Sequence, residues 1–503
     1  MRPTTRTFAL AALALALVAP RTAAAEPAAV RPNILFIIAD DQSPFDLGIY
    51  EPGAALHTPV LDRLAAEGMV LDAAYHMGSF VSAVCVPSRH MLMTGRTLWH
   101  LPIGPTSAAE AAGRHCPADI ADWTIPAVFT RAGYDTMQSC KAENCYEGAS
   151  RKFTVRHDAT KRAGTHDGGS AWHADRVLDF LDDRERKGDR EPFLVYLGFS
   201  HPHDTRDGTP ELLARYGAVN HADRATLPPA AARRPPLPVN WLPAHPFPLH
   251  RPGRRDETAV SGVWDRRDPA TIRNEKGREC ACSENIDAQI GRVLERLAAR
   301  GELENTWIFY TSDHGIAVGR HGLMGKQNLY EHSWRVPLIV KGPGVKPGSR
   351  AAGNVYLLDV LATLCEIAGV EIPATNEGTS FLPVLHGRTP AIREVMYGVY
   401  SGDGPPGCRA VRRGDWKLVE VELPELGIRR TQLFNLRENP HELLADHAAS
   451  GVRDASGVAP EPVQRDLAAD PRHADTLAAM RRLLAEQMRA LDDPDRFGDR
   501  LVP

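Results

Sequence analysis

Cysteine is scarce in this chain, with eight among 503 residues. That is too few for a disulfide scaffold, so stability must come from a buried core, and the length allows a large one. No apolar run beyond the first 25 residues is long enough to cross a bilayer, which excludes an internal membrane span. Basic runs are missing too. The formal charge is −4, and it becomes more negative once the three arginines of residues 1–25 are set aside. Nothing in the composition is organised to bind nucleic acid. There is no internal repeat and no extended low-complexity tract.

The chain does begin with a processing signal. Arg2 and Arg6 precede an apolar run from Phe8 to Ala19, and Ala23-x-Ala25 forms a small-residue cleavage site. The pattern predicts a secretory signal peptide over residues 1–25, and hence an exported protein, periplasmic or secreted.

From Asn33 onward, apolar strand-like runs alternate with helical patterns. This predicts an α/β fold with a mainly parallel central sheet sandwiched by helices. Asn33–Ala39, Phe193–Phe199 and Trp307–Thr311 read as strands. Thr58-Pro59 opens a helix with Leu61, Leu64 and Ala65 on one face and Gly68 at its end. Glu284–Arg300 reads as another helix, with Ile286, Ile290, Val293, Leu294 and Leu297 toward the core. Pro210 to about Arg255 is rich in Pro, Arg and His without sustained period, either a solvated excursion or a substrate-facing wall. After Leu385-His386-Gly387, short strands are expected at Val395–Tyr400, Cys408–Arg412 and Trp416–Val421, then a helix over Ala474–Leu491. The expected division is a catalytic α/β domain over 26–385 and a smaller antiparallel sheet plus helix over 386–503.

Two strand-like runs end in acids: Asp40-Asp41 follows Ile34–Ala39, and Asp313-His314-Gly315 follows Ile308–Ser312. In a parallel sheet such ends share one edge, where ligands bind. Carboxylates gathered there repel one another unless a cation lies among them, and oxygen donors suit a hard ion, calcium before magnesium. Elsewhere the chain reads Cys85-Val86-Pro87-Ser88-Arg89, followed by Thr94-Gly95-Arg96. Pro87 suits the first turn of a helix and Gly95 its end, which puts Cys85 just before a helix N-terminus, a place that favours an anion. Arg89, one turn on, adds a fork of donors.

These motifs resemble the active-site signature of type I sulfatases, in the alkaline-phosphatase-like superfamily, and the resemblance covers nearly the whole mature chain. It implies that Cys85 is oxidised by a maturation enzyme to formylglycine. Asp40, Asp41, Asp313, His314 and the modified Cys85 would then hold one calcium ion. His314, an unusual calcium ligand, either ligates or orients the ester. Lys326, in Gly325-Lys326-Gln327-Asn328, matches the family's sulfate-binding lysine, and His203, in His201-Pro202-His203, its proton donor. Arg89 and Lys141 would stabilise charge on the sulfuryl oxygens. The family's Gly-Lys-Trp-His is replaced here by Cys140-Lys141-Ala142-Glu143-Asn144. Lys141 carries over and the histidine does not, leaving Glu143, Asn144 or His201 as substitutes. The implied activity is hydrolysis of sulfate esters, with sulfated carbohydrates as the expected substrates. The alternatives are a phosphomonoesterase or phosphodiesterase of the same superfamily, a non-catalytic sulfated-glycan binder, and an enzyme using the Cys85 thiol directly. Cys140 and Cys145 are close enough in sequence to bridge; Cys280 and Cys282 read better as packed thiols.

Overall fold

The computed structural model describes residues 1, 31–103, 116–142, 145–160, 168–220, 227–249, 256, 266–402, 404 and 407–501. The expected signal peptide beyond Met1, Glu143 and Asn144 lie outside the described residues. The strand expected at Asn33–Ala39 runs one residue further, as β1 (Asn33–Asp40), and every residue in it is buried. Continuous burial is what an unbroken apolar run requires of a strand covered on both faces.

β1 lies in a sheet with β2 (Met69–Tyr75), β4 (Asp135–Lys141), β5 (Val155–Ala159), β6 (Phe193–Pro202), β7 (Thr306–Ser312), β8 (Arg335–Lys341), β9 (Ser349–Ala351) and β10 (Val355–Tyr356). The order is β10-β2-β8-β7-β1-β6-β4-β5, with β9 against β2. All pairings are parallel except those of β8, which runs antiparallel to both β2 and β7. Helices α1 (Pro59–Glu67), α3 (Ser170–Lys187) and α4 (Pro269–Ala299) pack together beside the sheet, while α2 (Cys85–Thr94) and α5 (Asp359–Ala368) contact each other.

α4 begins at Pro269, well before the expected Glu284. Asp268 caps it, accepting from the amides of Ala270 and Thr271 at 3.1 Å each. The added turns carry Glu275, Lys276, Arg278 and Glu279, all buried in ion pairs. Buried charge interrupts an apolar period, which is why the pattern revealed only the second half of the helix.

The smaller sheet has the order β14-β13-β12-β11-β3, from β3 (Gly78–Ser79), β11 (Val395–Tyr400), β12 (Gly407–Arg413), β13 (Trp416–Leu423) and β14 (Ile428–Asn435). It is antiparallel except where β3 joins β11. Helix α6 (Ala474–Ala490) packs on β12 and β13. β3 comes from the chain just before Cys85, so the small sheet holds the segment that leads into α2 directly. Contacts join both sheets into one unit running from Pro32.

Candidate active site

Four adjacent strands deliver charged side chains to one edge. In the order β4-β6-β1-β7, the chain reaches Lys141, His203, Asp40 with Asp41, and Asp313 with His314 at or just past the carboxyl ends. Backbone bonds continue past the strands: His203 N–H donates to the Asp40 carbonyl at 3.1 Å and Asp313 N–H to the Ala39 carbonyl at 3.2 Å. Asp41 adopts φ 74°, a left-handed turn that aspartate tolerates better than most residues. Its amide points at Asp313 Oδ1, 3.3 Å away. Gly315 is required behind His314, because a Cβ there would lie 2.0 Å from the His332 carbonyl.

The fifth contribution comes from α2. The helix starts at Cys85 itself and ends at Gly95, φ 66°. Ser88 Oγ donates to the Asp313 carbonyl at 2.5 Å and Arg89 Nε to Asp313 Oδ2 at 2.9 Å. Arg89 Nη2 lies 3.4 Å from Asp40 Oδ2. Ligand atoms of Asp40, Cys85, Asp313 and His314 all fall within 4.8 Å of one another, and those of Asp40, Asp41 and His203 form an overlapping group. Lys141 Nζ reaches Asp40 Oδ2 at 3.1 Å and Lys326 Nζ reaches Asp41 Oδ1 at 2.8 Å. All nine residues singled out in the sequence therefore meet, each no more than 4% exposed.

His201 goes elsewhere. It groups with Asp207 and Cys282, its Nε2 3.9 Å from Asp207 Oδ2. Two residues of the site belong to no motif in the sequence. Asp204 Oδ1 sits 2.7 Å from His203 Nδ1; its position directly after Pro202-His203 was the available hint. Asp256 accepts from the amides of Gly325 at 2.7 Å and Met324 at 3.2 Å, and from Arg267 at 2.8 Å. It thereby pins the loop that carries Lys326, from a segment whose composition gave no pattern at all.

The charges explain the protonation states. Burial alone would raise the Asp40 carboxyl, but Lys141 and then Arg89 hold it well below the usual range. Burial would likewise raise Asp41, and His203 and Lys326 bring it down. Burial pulls His203 down, yet the Asp41 carboxylate, with help from Asp204, keeps the imidazole above its ordinary value. Burial pushes the Cys85 thiol up, which makes it a poor nucleophile as it stands. Direct thiol catalysis is disfavoured on that ground.

The donor set suits a cation. Three buried aspartates are balanced by Arg89, Lys141 and Lys326, while Asp41 Oδ2 and His314 Nε2 are buried with no hydrogen-bond partner. The one soft donor is the Cys85 sulfur, and replacing it by oxygen would leave a mostly oxygen set of the kind hard ions take. The cleft of about 200 Å³ lined by Phe45, Lys276, Arg320 and His441 contains none of the nine residues.

The sulfatase family model matches residues 32–370. The chain belongs to the sulfatase family. This sulfatase also matches, over residues 319–454, the C-terminal model of N-sulphoglucosamine sulphohydrolase. It is 25% identical to the N-acetylglucosamine-6-O-sulfatase of Bacteroides thetaiotaomicron, over 88% of this chain and 86% of that protein. Its fold matches BT4656, solved in complex with its substrate D-glucosamine-2-N,6-O-disulfate, with TM-score 0.65, 20% identity and coverage of 93% and 99% of the two chains. It also matches the phosphonate monoester hydrolase of Silicibacter pomeroyi, with TM-score 0.62, 20% identity and coverage of 92% and 96%. The fold thus serves both sulfur and phosphorus esters. Family membership makes this chain a sulfuric ester hydrolase.

Proposed function

We propose that this sulfatase hydrolyses sulfate esters of sugars, using formylglycine made from Cys85 by a maturation enzyme and one calcium ion, in an exported protein that has lost residues 1–25. The observation that carries the reading is the meeting of Cys85 with Asp40, Asp313 and His314, ringed by Lys141, Lys326 and Arg89. Asp40, Asp41, Asp313 and the modified Cys85 would hold the ion, with His314 as a further ligand or an orienting group. When present, the hydrated formylglycine supplies the nucleophilic hydroxyl and the ion lowers its pKa and polarises the sulfuryl oxygens.

The protein's own side chains do the rest. With a divalent ion added to three acids and three bases, the site gains a positive balance that suits a sulfate monoester. Lys141 and Lys326 exchange part of their hold on Asp40 and Asp41 for the ester oxygens. Arg89 keeps Asp313 and Asp40 in register. His203, kept protonated by Asp41 and Asp204, gives its proton to the bridging oxygen as the sugar alcohol leaves. The sugar assignment is supported by relatives that act on, or were solved with, sulfated glucosamines.

Peptide mass spectrometry of protein made with a maturation enzyme should find an aldehyde at position 85, and elemental analysis one calcium per chain. Asp40→Ala and Asp313→Ala should lose the ion and nearly all turnover while remaining folded. Full activity with an unmodified Cys85 thiol, or stoichiometric zinc, would overturn the proposal.

A further inference from the structure

Cys140 and Cys145 bracket the segment that begins with Lys141. Their sulfurs lie 3.1 Å apart and both residues are buried. Arg89 Nη1 donates to Cys140 Sγ at 3.2 Å, and Tyr196 Oη lies 3.7 Å from Cys145 Sγ. The same Arg89 holds Asp313 and Asp40, and Lys141 holds Asp40. The sulfur pair thus backs onto the active site at two points, and ester hydrolysis makes no use of it. Cys280 and Cys282 differ: they neighbour each other on α4, and Cys282 Sγ donates to Asp207 Oδ1 at 2.7 Å.

We propose that Cys140 and Cys145 form a disulfide that ties down the end of β4 and fixes Lys141, the last residue of that strand, against Asp40. The bond needs the sulfurs to approach by about 1 Å, to roughly 2.05 Å. The co-reactant is a disulfide oxidant, either a small-molecule disulfide such as oxidised glutathione or a protein disulfide. Cys145 is 6% exposed and Cys140 fully buried, so Cys145 reacts first. The hydrogen bond from Cys140 brings the Cys145 thiol to about 7 against the effect of burial, with further help from Arg89, so part of it is thiolate at neutral pH.

That thiolate attacks one oxidant sulfur and releases the other as a thiol. Cys140, its developing charge beside Arg89, then loses its proton and attacks the Cys145 sulfur of the mixed disulfide, releasing the second oxidant thiol. Two protein thiols are oxidised and one oxidant disulfide is reduced. The bond would also give this chain a covalent brace at the point where the family sequence departs. Its effect on turnover rests on the proposed role of Lys141; the bond itself does not.

Trypsin cuts after Lys141, so peptides 132–141 and 142–151 separate unless the bridge joins them. Full-length protein produced in an oxidising compartment, or exposed to oxidised glutathione, is denatured, alkylated without reduction and digested. The expected result is the linked pair, with the two alkylated peptides appearing only after reduction. Both peptides fully alkylated without reduction would overturn the proposal, whatever the enzyme's activity. Reduction of the bridged enzyme should lower kcat about tenfold, within the roughly 10²-fold that a displacement of about 1 Å can cost. The C140S/C145S variant should match the reduced enzyme and ignore reductant. An unchanged kcat after reduction of the bridged enzyme would overturn the positioning role.

Discussion

Asp204 and His203 make the most exposed claim at the level of single residues. An imidazole that is 2% exposed should be hard to protonate, and it is held above its ordinary value by Asp41 and Asp204. Asp204→Asn removes one of those charges and keeps the shape. The His203 pKa should fall, and a group that acts in its protonated form loses activity as pH rises through its pKa. The alkaline limb of the kcat profile should therefore move to lower pH, with kcat at pH 8 down by about tenfold, a fraction of the 10²–10⁴-fold that general-acid catalysis is worth in full. A pH–rate profile checks this; a uniform drop at every pH would mean that Asp204 only supports the fold. Most of the site was legible residue by residue, because aspartates at strand ends and a cysteine before Pro-Ser-Arg are unusual combinations. Asp204 and Asp256 were not, since each acts through a neighbour and a single carboxylate in a loop carries no pattern.

At the level of elements, β1, β6 and β7 were readable because both of their faces are covered and their sequences are continuously apolar. β3 was not. Two residues, Gly78 and Ser79, pair with Val399 and Tyr400 of β11, and no periodicity fits in two residues. Their place is dictated by close approach: Gly78 has φ 101°, and a Cβ there would lie 1.7 Å from the Val399 carbonyl. Gly78→Ala should cost at least about 2 kcal/mol, read by denaturant unfolding, and should depress activity beyond the loss of folded protein, because β3 leads into the Cys85 helix. A variant with wild-type stability and turnover would show that this strand pairing does not anchor the site. The first half of α4 was missed for the opposite reason, since its charges are paired and buried where pattern reading expects surface.

Across the whole molecule, four of the smaller sheet's five strands follow residue 386, while the fifth, β3, comes from Gly78–Ser79. The two sheets are nevertheless tied together at the active-site edge. Lys417 on β13 lies 2.9 Å from Glu331 Oε1 and 2.7 Å from Glu442 Oε1, and Glu331 follows the Lys326 loop by a few residues. The smaller sheet therefore braces both the Cys85 helix through β3 and the lysine loop through Lys417. Since a phosphonate monoester hydrolase shares this fold, the identity of the ester is the decisive property. The most direct measurement is kcat/KM of the matured enzyme on a panel of sulfated monosaccharides and the matching phosphate esters, beside Cys85→Ala. The account predicts at least about a hundredfold preference for one sulfate over its phosphate, on the scale that a site built for one group can reach, and no sulfate turnover by the variant. A preference for the phosphate, or sulfate turnover surviving in Cys85→Ala, would contradict it.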